Sequence, residues 1–369
     1  MWQNRINPQP MFDILTKARE RELAGNYVAR FEIGDTTGFS NLKLHKSVEK
    51  YSLSNFNYSP PAGEEKLIEV LYRTQWPEYS ENKFKINVAP ANFLILCSLA
   101  ATTSPGDTIF IPNPYFPTYK LAAEFLGLNI VYYEVSLDGL PVLDNSKIEL
   151  IQSNPALLII CNPSNPLGTA VDGKIFVDFI QEIRKRFPAI QVLLDETYVN
   201  LVYDSKINAV VSDEKAIRIR SLSKEHCAPG LRIGYVLSTS EIAETITNMI
   251  SLTVSCSPSF IQLAVSEYLN SADAELFVLN LKKEMSQRIL ACSEIFSSEI
   301  MPNIPNSTFY TLVKIKDSET FEKLIRNNVS VCPGYKFGST LKGYARISLA
   351  GQKENLLNDL TSLHAALEY

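Results

Sequence analysis

The 369-residue chain predicts an α/β fold: a large domain with a mostly parallel seven-stranded sheet flanked by helices, plus a smaller α+β domain. Three observations carry this. Short β-rich runs alternate with longer helical patterns, as in strands joined by helical crossovers. Several runs are apolar at successive positions, which suits strands covered on both faces. Beyond about Cys256 the alternation stops, and long helical patterns lead into a short mixed segment.

The strand candidates are KINVA (85–89), TIFIP (108–112), NIVYYEV (129–135), LLIIC (157–161), QVLLD (191–195), AIRIR (216–220) and IGYVLS (233–238). Between them lie helical patterns, notably NFLILCSLAATT from Asn92 and DGKIFVDFIQEIRKRF, where Asp172 is placed to cap the first turn. After Cys256 come two helices, the second long enough to carry the chain away from the sheet. TFYTLVKI and YARISLA then read as strands, and ETFEKLIRN and ENLLNDLTSLHAALEY as helices. The expected division is an N-terminal arm over 1–40 that joins the small domain, a large domain over 41–255 and a small domain over 256–369.

Composition narrows the function. Apolar residues make up 46% and charged residues 20%, the balance of a globular chain. A net charge of −5 gives no reason to expect nucleic acid or anionic membrane as a partner. The N-terminal stretch lacks the pattern of a signal peptide and no apolar run is long enough to span a bilayer, so a cytoplasmic protein is expected. The six cysteines form no C-x-x-C pair and the three histidines are scattered, so no metal site is expected. The fifteen glycines contain no G-x-G-x-x-G, which argues against a nicotinamide enzyme. A transcription regulator would need a basic helix-turn-helix extension, for which there is no room before residue 40.

Chemistry in such sheets gathers at the carboxyl ends of the strands. LLIIC runs into Asn162-Pro-Ser-Asn165-Pro-Leu-Gly168, QVLLD ends on Asp195 with Tyr198 beyond it, and AIRIR runs into Ser221, Ser223 and Lys224. An amide, a carboxylate and an amine therefore stand at three consecutive strand ends. Each has an ordinary structural explanation alone, as a turn, a helix cap or a solvated lysine. Together they can meet one ligand.

In that order the segments resemble the fold type I pyridoxal-phosphate enzymes of the aspartate aminotransferase type, class I/II. CNPSNPLG, DETY, SLSKEHCAPGLRIGY and ARISLA are similar to four family motifs, and NYSPPAGEEKL and PGDTIFIPNPYFPTY to two further segments. The resemblance runs from Gly34 to the C-terminus. It implies that Lys224 carries pyridoxal 5'-phosphate as an internal aldimine, a role open to a lysine amine held among hydroxyls and cations. It implies that Asp195 faces the ring nitrogen, that Asn165 and Tyr198 bond the phenolic oxygen, and that Phe116 stacks on the ring. Ser221, Ser223, Arg232 and the amides of Ala91 and Asn92 would hold the phosphate. Arg346 would grip the α-carboxylate of an amino acid, with Gly34 closing over it. Tyr58 would reach the phosphate of a neighbouring subunit, implying a homodimer with shared sites.

The activity so implied is transamination between an amino acid and a 2-oxo acid; a decarboxylase or lyase on the same scaffold is the alternative. A catalytically silent relative would be expected to lack Lys224 or Asp195, and both are present. Three departures stand out. Pro90 in VAPANF has no N–H to offer a phosphate, Leu167 stands where the family has threonine, and Glu225-His226 after the lysine is unusual. Of those two, surface positions are the preferred expectation, contact with substrate the other.

Overall fold

A computed structural model describes residues 6–9, 11–53, 56–79, 81–142, 144 and 154–368. In chain order the described strands are β1 (Ala29–Arg30), β2 (Phe84–Ala89), β3 (Thr108–Asn113), β4 (Asn129–Val135), β5 (Pro141–Val142), β6 (Leu157–Cys161), β7 (Gln191–Asp195), β8 (Ile217–Ser221), β9 (Gly234–Thr239), β10 (Tyr310–Lys314), β11 (Val329–Ser330), β12 (Cys332–Pro333) and β13 (Tyr344–Ser348). The main sheet has the order β2-β9-β8-β7-β6-β3-β4-β5. Neighbours from β8 to β4 are parallel, whereas β9 is antiparallel to both β8 and β2.

All seven expected strands are in this sheet. It has an eighth, β5, which pairs antiparallel with the edge of β4. Two residues after a turn at Gly139 (φ +86°) are too short to show any period, so the sequence pattern does not reveal it.

Alternation along the strands builds the two faces. Leu157 and Ile159 of β6 pack with Ile109, Leu193 and Ile217 against the helices Ala91–Thr102, Pro117–Leu126 and Ser240–Thr253. Leu158 and Ile160 point the other way, onto Phe176, Phe179, Ile180 and Ile183 of the helix Gly173–Arg186. Asp172 caps that helix by accepting from the Lys174 N–H, as expected. Each fully buried aliphatic side chain contributes about 1.5–3 kcal/mol, which explains why this part of the chain reads as unbroken apolar runs.

After the helices Ser259–Leu269 and Ala272–Ile295, the chain forms a three-stranded antiparallel sheet, β10-β13-β12. Its core joins Val313, Ala345 and Ile347 to Ile289, Leu324, Leu356 and Leu360. The N-terminal stretch returns to this region: β1 pairs in parallel with β11, and Phe31 enters the same core. Glu32 to Gly34 are thereby carried to the ends of the large-sheet strands.

One buried ion cluster ties β7 to β8. Glu196 takes Arg218 on one carboxylate oxygen and Arg220 on the other, all three buried. Tyr79 accepts from Arg218 Nε, and the Gln75 carbonyl accepts from Arg220 Nη1. Glu196→Ala would leave two guanidinium groups buried without their anion. It should lower unfolding free energy by about 3–5 kcal/mol, measured by urea denaturation; a loss below about 1 kcal/mol would show that the neutral acceptors suffice.

Candidate active site

The hairpin connection between β8 and β9 builds the central feature. Ser221 and Gly234 are register partners, so everything from Leu222 to Ile233 is an excursion that leaves and returns at one point of the sheet. It holds the one-turn helix Leu222–Glu225 and a 3-10 turn, Pro229–Leu231. Arg232 follows in the left-handed region (φ +58°), which turns its side chain back toward the start. This is how an eight-residue separation brings Lys224 and Arg232 to one cavity.

That cavity, of about 440 Å³, is lined by Gly34, Ala91, Asn92, Phe116, Asn165, Asp195, Tyr198, Ser221, Ser223, Lys224, Arg232 and Arg346. Twelve of the thirteen residues singled out from sequence therefore meet there. Tyr58 does not; it is 89% exposed and lies on the outer surface.

Lys224 Nζ donates to the Gly34 carbonyl at 2.7 Å. Asp195 is buried and, among the described residues, has no cation bonded to it: Thr197 donates its N–H (3.1 Å) and hydroxyl (2.6 Å) to Oδ1, and Tyr119 donates to Oδ2 at 2.6 Å. Burial raises its pKa, and these three donors act against the rise. Backbone bonds of the helix Ala91–Thr102 begin at Phe93, which bonds Pro90, so the N–H groups of Ala91 and Asn92 stay available at its positive end.

Arg346 is buried in β13. Its Nη1 donates to Asn165 Oδ1 and its Nη2 to the Glu32 carbonyl, both at 2.9 Å, while Nε is buried without a partner. Its guanidinium stands 4.1 Å from the Tyr310 ring centroid, and the Tyr310 and Tyr198 hydroxyls are 3.2 Å apart. Burial holds the Tyr198 phenol well above its ordinary pKa.

Reading by motif missed Tyr119, Thr197 and Tyr310. Tyr119 stands three residues after Phe116 on a helical segment, and Thr197 lies inside DETY, so spacing offered a signal for both. Nothing local marks Tyr310. Gln9, Met11, Phe12 and Ile33 also line the cavity, brought there by the N-terminal stretch.

Two of the departures are placed by the structure, and one of them, Glu225-His226, differs from expectation. Leu167 is buried in the core with Leu158 and Phe176 and does not line the cavity. Glu225 and His226 are not at the surface, being 1% and 4% exposed. The tight helix after Ser221 directs them inward. Glu225 accepts from the Asn200 N–H (2.8 Å) and from Asn200 Nδ2 (2.9 Å), and His226 Nδ1 lies 3.0 Å from the Tyr268 hydroxyl.

A family description, Aminotransferase class I and II, matches residues 91–362. The chain belongs to this family. It is 30% identical over 370 aligned residues, 95% of this chain and 94% of the other, to the (5-formylfuran-3-yl)methyl phosphate transaminase of Methanocaldococcus jannaschii. It is 28% identical to an aspartate aminotransferase of Pyrococcus horikoshii, over 85% of this chain and 83% of that one. The fold matches that of Thermus thermophilus aspartate aminotransferase solved with maleate, with a TM-score of 0.89 at 21% identity over 99% of this chain and 98% of that one.

The protein is therefore a pyridoxal-phosphate-dependent aminotransferase of fold type I. The cavity fits that cofactor chemically. It offers a buried carboxylate still lacking a cation, unbonded N–H groups and an arginine for a phosphate, and a lysine amine beside them.

Burial pushes Glu225 up to about 7, with the Asn200 bonds and the Arg220 charge acting the other way, and pushes His226 down to about 4. Glu225 stabilises the fold fully below its ordinary 4.5 and loses this as pH rises through about 7. His226 stabilises it fully above 6.5 and loses this as pH falls through about 4. The two slopes oppose each other over roughly pH 4.5–6.5, each up to about 1.4 kcal/mol per pH unit. Relative to the native protein, Glu225→Gln should make unfolding free energy rise more steeply with pH in that window, and His226→Gln less steeply. Denaturant titrations at several pH values read both slopes; two unchanged slopes would refute the assignment.

Proposed function

We propose that this aminotransferase moves the amino group of an α-amino acid to a 2-oxo acid, with Lys224, Asp195 and Arg346 as its working residues. The observation that carries the reading is their convergence: an amine, an uncompensated carboxylate and a guanidinium with a free Nε share one cavity. When bound, pyridoxal phosphate supplies a carbonyl carbon for the amine and a ring that accepts the electron pair left at Cα.

The chain's residues do the rest. Lys224 Nζ would hold the cofactor and, as a free amine, would take the proton from the substrate Cα; the Gly34 carbonyl, which accepts from it at 2.7 Å, would orient it. Asp195 would keep a proton on the ring nitrogen, and Tyr119 and Thr197 hold its two oxygens in orientation. Asn165 and Tyr198 would donate to the phenolic oxygen, and Phe116 would cover a ring face. Ser221, Ser223, Arg232 and the Ala91 and Asn92 N–H groups hold the phosphate. Arg346 takes the α-carboxylate, which favours an amino acid over an amino sugar. Borohydride treatment of the holoenzyme followed by peptide mapping should find the cofactor-derived label on Lys224; label on another lysine would overturn the assignment.

We also propose that the enzyme works as a homodimer in which Tyr58 reaches the partner's phosphate site, and that it is cytoplasmic, where its free cysteines stay reduced. The residues 1–40, 41–255 and 256–369 are taken as arm, large domain and small domain. Support for the dimer comes from exposed apolar side chains, Leu53, Phe56, Tyr58, Leu252 and Val254. The segment around Tyr58 is tied to the one after Val254, since Ser259 Oγ donates to the Asn57 carbonyl and Phe56 meets Phe260 edge-on. Mixed dimers of Lys224→Ala and Tyr58→Ala chains would contain one site with both defects and one with neither. Activity should reappear on refolding the two together; no recovery, with heterodimers demonstrated, eliminates the shared site.

A further inference from the structure

We infer that Tyr310 is a positioning residue, its ring holding Arg346 and its hydroxyl holding Tyr198; this rests on the roles proposed above for those two residues. Tyr310 opens β10 and is buried at the edge of the cavity. Its two ends meet different parts of the site.

The ring faces the Arg346 guanidinium at 4.1 Å, with Phe337 4.7 Å from the same group. Aromatic faces attract a planar cation and limit its tilt. Among the described residues Arg346 has no carboxylate bonded to it, so these rings, Asn165 and the Glu32 carbonyl set its direction before substrate arrives.

The hydroxyl acts on the cofactor side. A phenol has one proton to donate and two lone pairs to offer. When Tyr198 turns its proton toward the cofactor's phenolic oxygen, its own oxygen needs a donor. In the structure Tyr198 donates to the Tyr310 hydroxyl at 3.2 Å; with that proton turned to the cofactor, the Tyr310 hydroxyl can rotate to donate back. A donor behind Tyr198 polarises its O–H and strengthens the bond it makes ahead.

Two glycines make room for this placement. A Cβ at Gly34 would overlap the Tyr310 hydroxyl, and one at Gly168 would overlap the Tyr310 carbonyl. Gly168 also has φ +74°, a conformation that favours glycine on its own account. The turn after β6 and the N-terminal stretch thus both fit around one tyrosine.

The test compares holoenzymes of the native protein, Tyr310→Phe and Tyr198→Phe. The first readout is the pH titration of the bound cofactor's absorption; the second is kcat and KM for the best donor in an amino-acid panel. Tyr310→Phe keeps the ring and removes the hydroxyl. It should shift the absorption midpoint in the same direction as Tyr198→Phe by a smaller amount. It should lower kcat about 3- to 10-fold with KM held within about twofold, the size of one lost hydrogen bond. Gly34→Ala, whose Cβ would overlap the Tyr310 hydroxyl, should reproduce the midpoint shift, and it decides the matter if Tyr310→Phe does not fold. A shift for Tyr198→Phe with none for Tyr310→Phe overturns the inference and leaves the Tyr198 role standing. No shift for either removes the Tyr198 role itself. A raised KM with an unmoved midpoint reduces Tyr310 to packing and overturns the inference as well.

Discussion

The site depends on a buried carboxylate left without a bonded cation. Asp195 ends β7 beneath the cavity, with Tyr119 and Thr197 donating to its two oxygens. Neutral donors soften the cost of burying such a charge but do not cancel it, and its pKa rises accordingly. On the role proposed for Asp195, a ligand that brings a proton-bearing ring nitrogen would supply the missing charge. The cofactor's binding would then be prepared by an incomplete interaction in the protein.

The next residue shows the opposite solution. Glu196 is just as buried, yet it has two arginines from β8 and no opening to the cavity. Adjacent residues at one strand end thus serve chemistry and architecture separately. The same economy governs the β8–β9 hairpin, where Ser221 and Lys224 face the cavity while Glu225 and His226 turn into the body of the protein. Backbone geometry alone separates the two pairs.

The side of the cavity proposed to take the substrate is assembled from remote parts of the chain. Arg346 comes from β13, Gly34 and Met11 from the N-terminal stretch, and Asn165 from the turn after β6. The β1–β11 pairing makes this possible because it returns the first thirty residues to the last strands. The small sheet therefore carries the arginine while the large sheet carries the lysine.

Much of this was legible in the sequence. Several of the seven strands were marked by apolar runs, because a sheet covered on both faces leaves little polar alternation; Asn165, Asp195, Tyr198, Ser221, Ser223 and Lys224 were marked by their place at strand ends, whereas Gly34 and Arg346 were marked only by the family resemblance. The eighth strand was not legible, since two residues have no period. Glu225 and His226 were misread for a related reason: a titratable pair next to a lysine looks solvated until the turn that buries it is known. Tyr310 carried no local mark at all, because its role depends on Tyr198 from β7's connection, Arg346 from β13 and Gly34 from the N-terminal stretch. Sequence by itself determined the strand pattern and the chemical types at the strand ends, for these follow from local polarity and spacing. Which side chains face the cavity, which are buried and which touch across long separations was decided only by the tertiary structure, since those relations arise when distant segments pack.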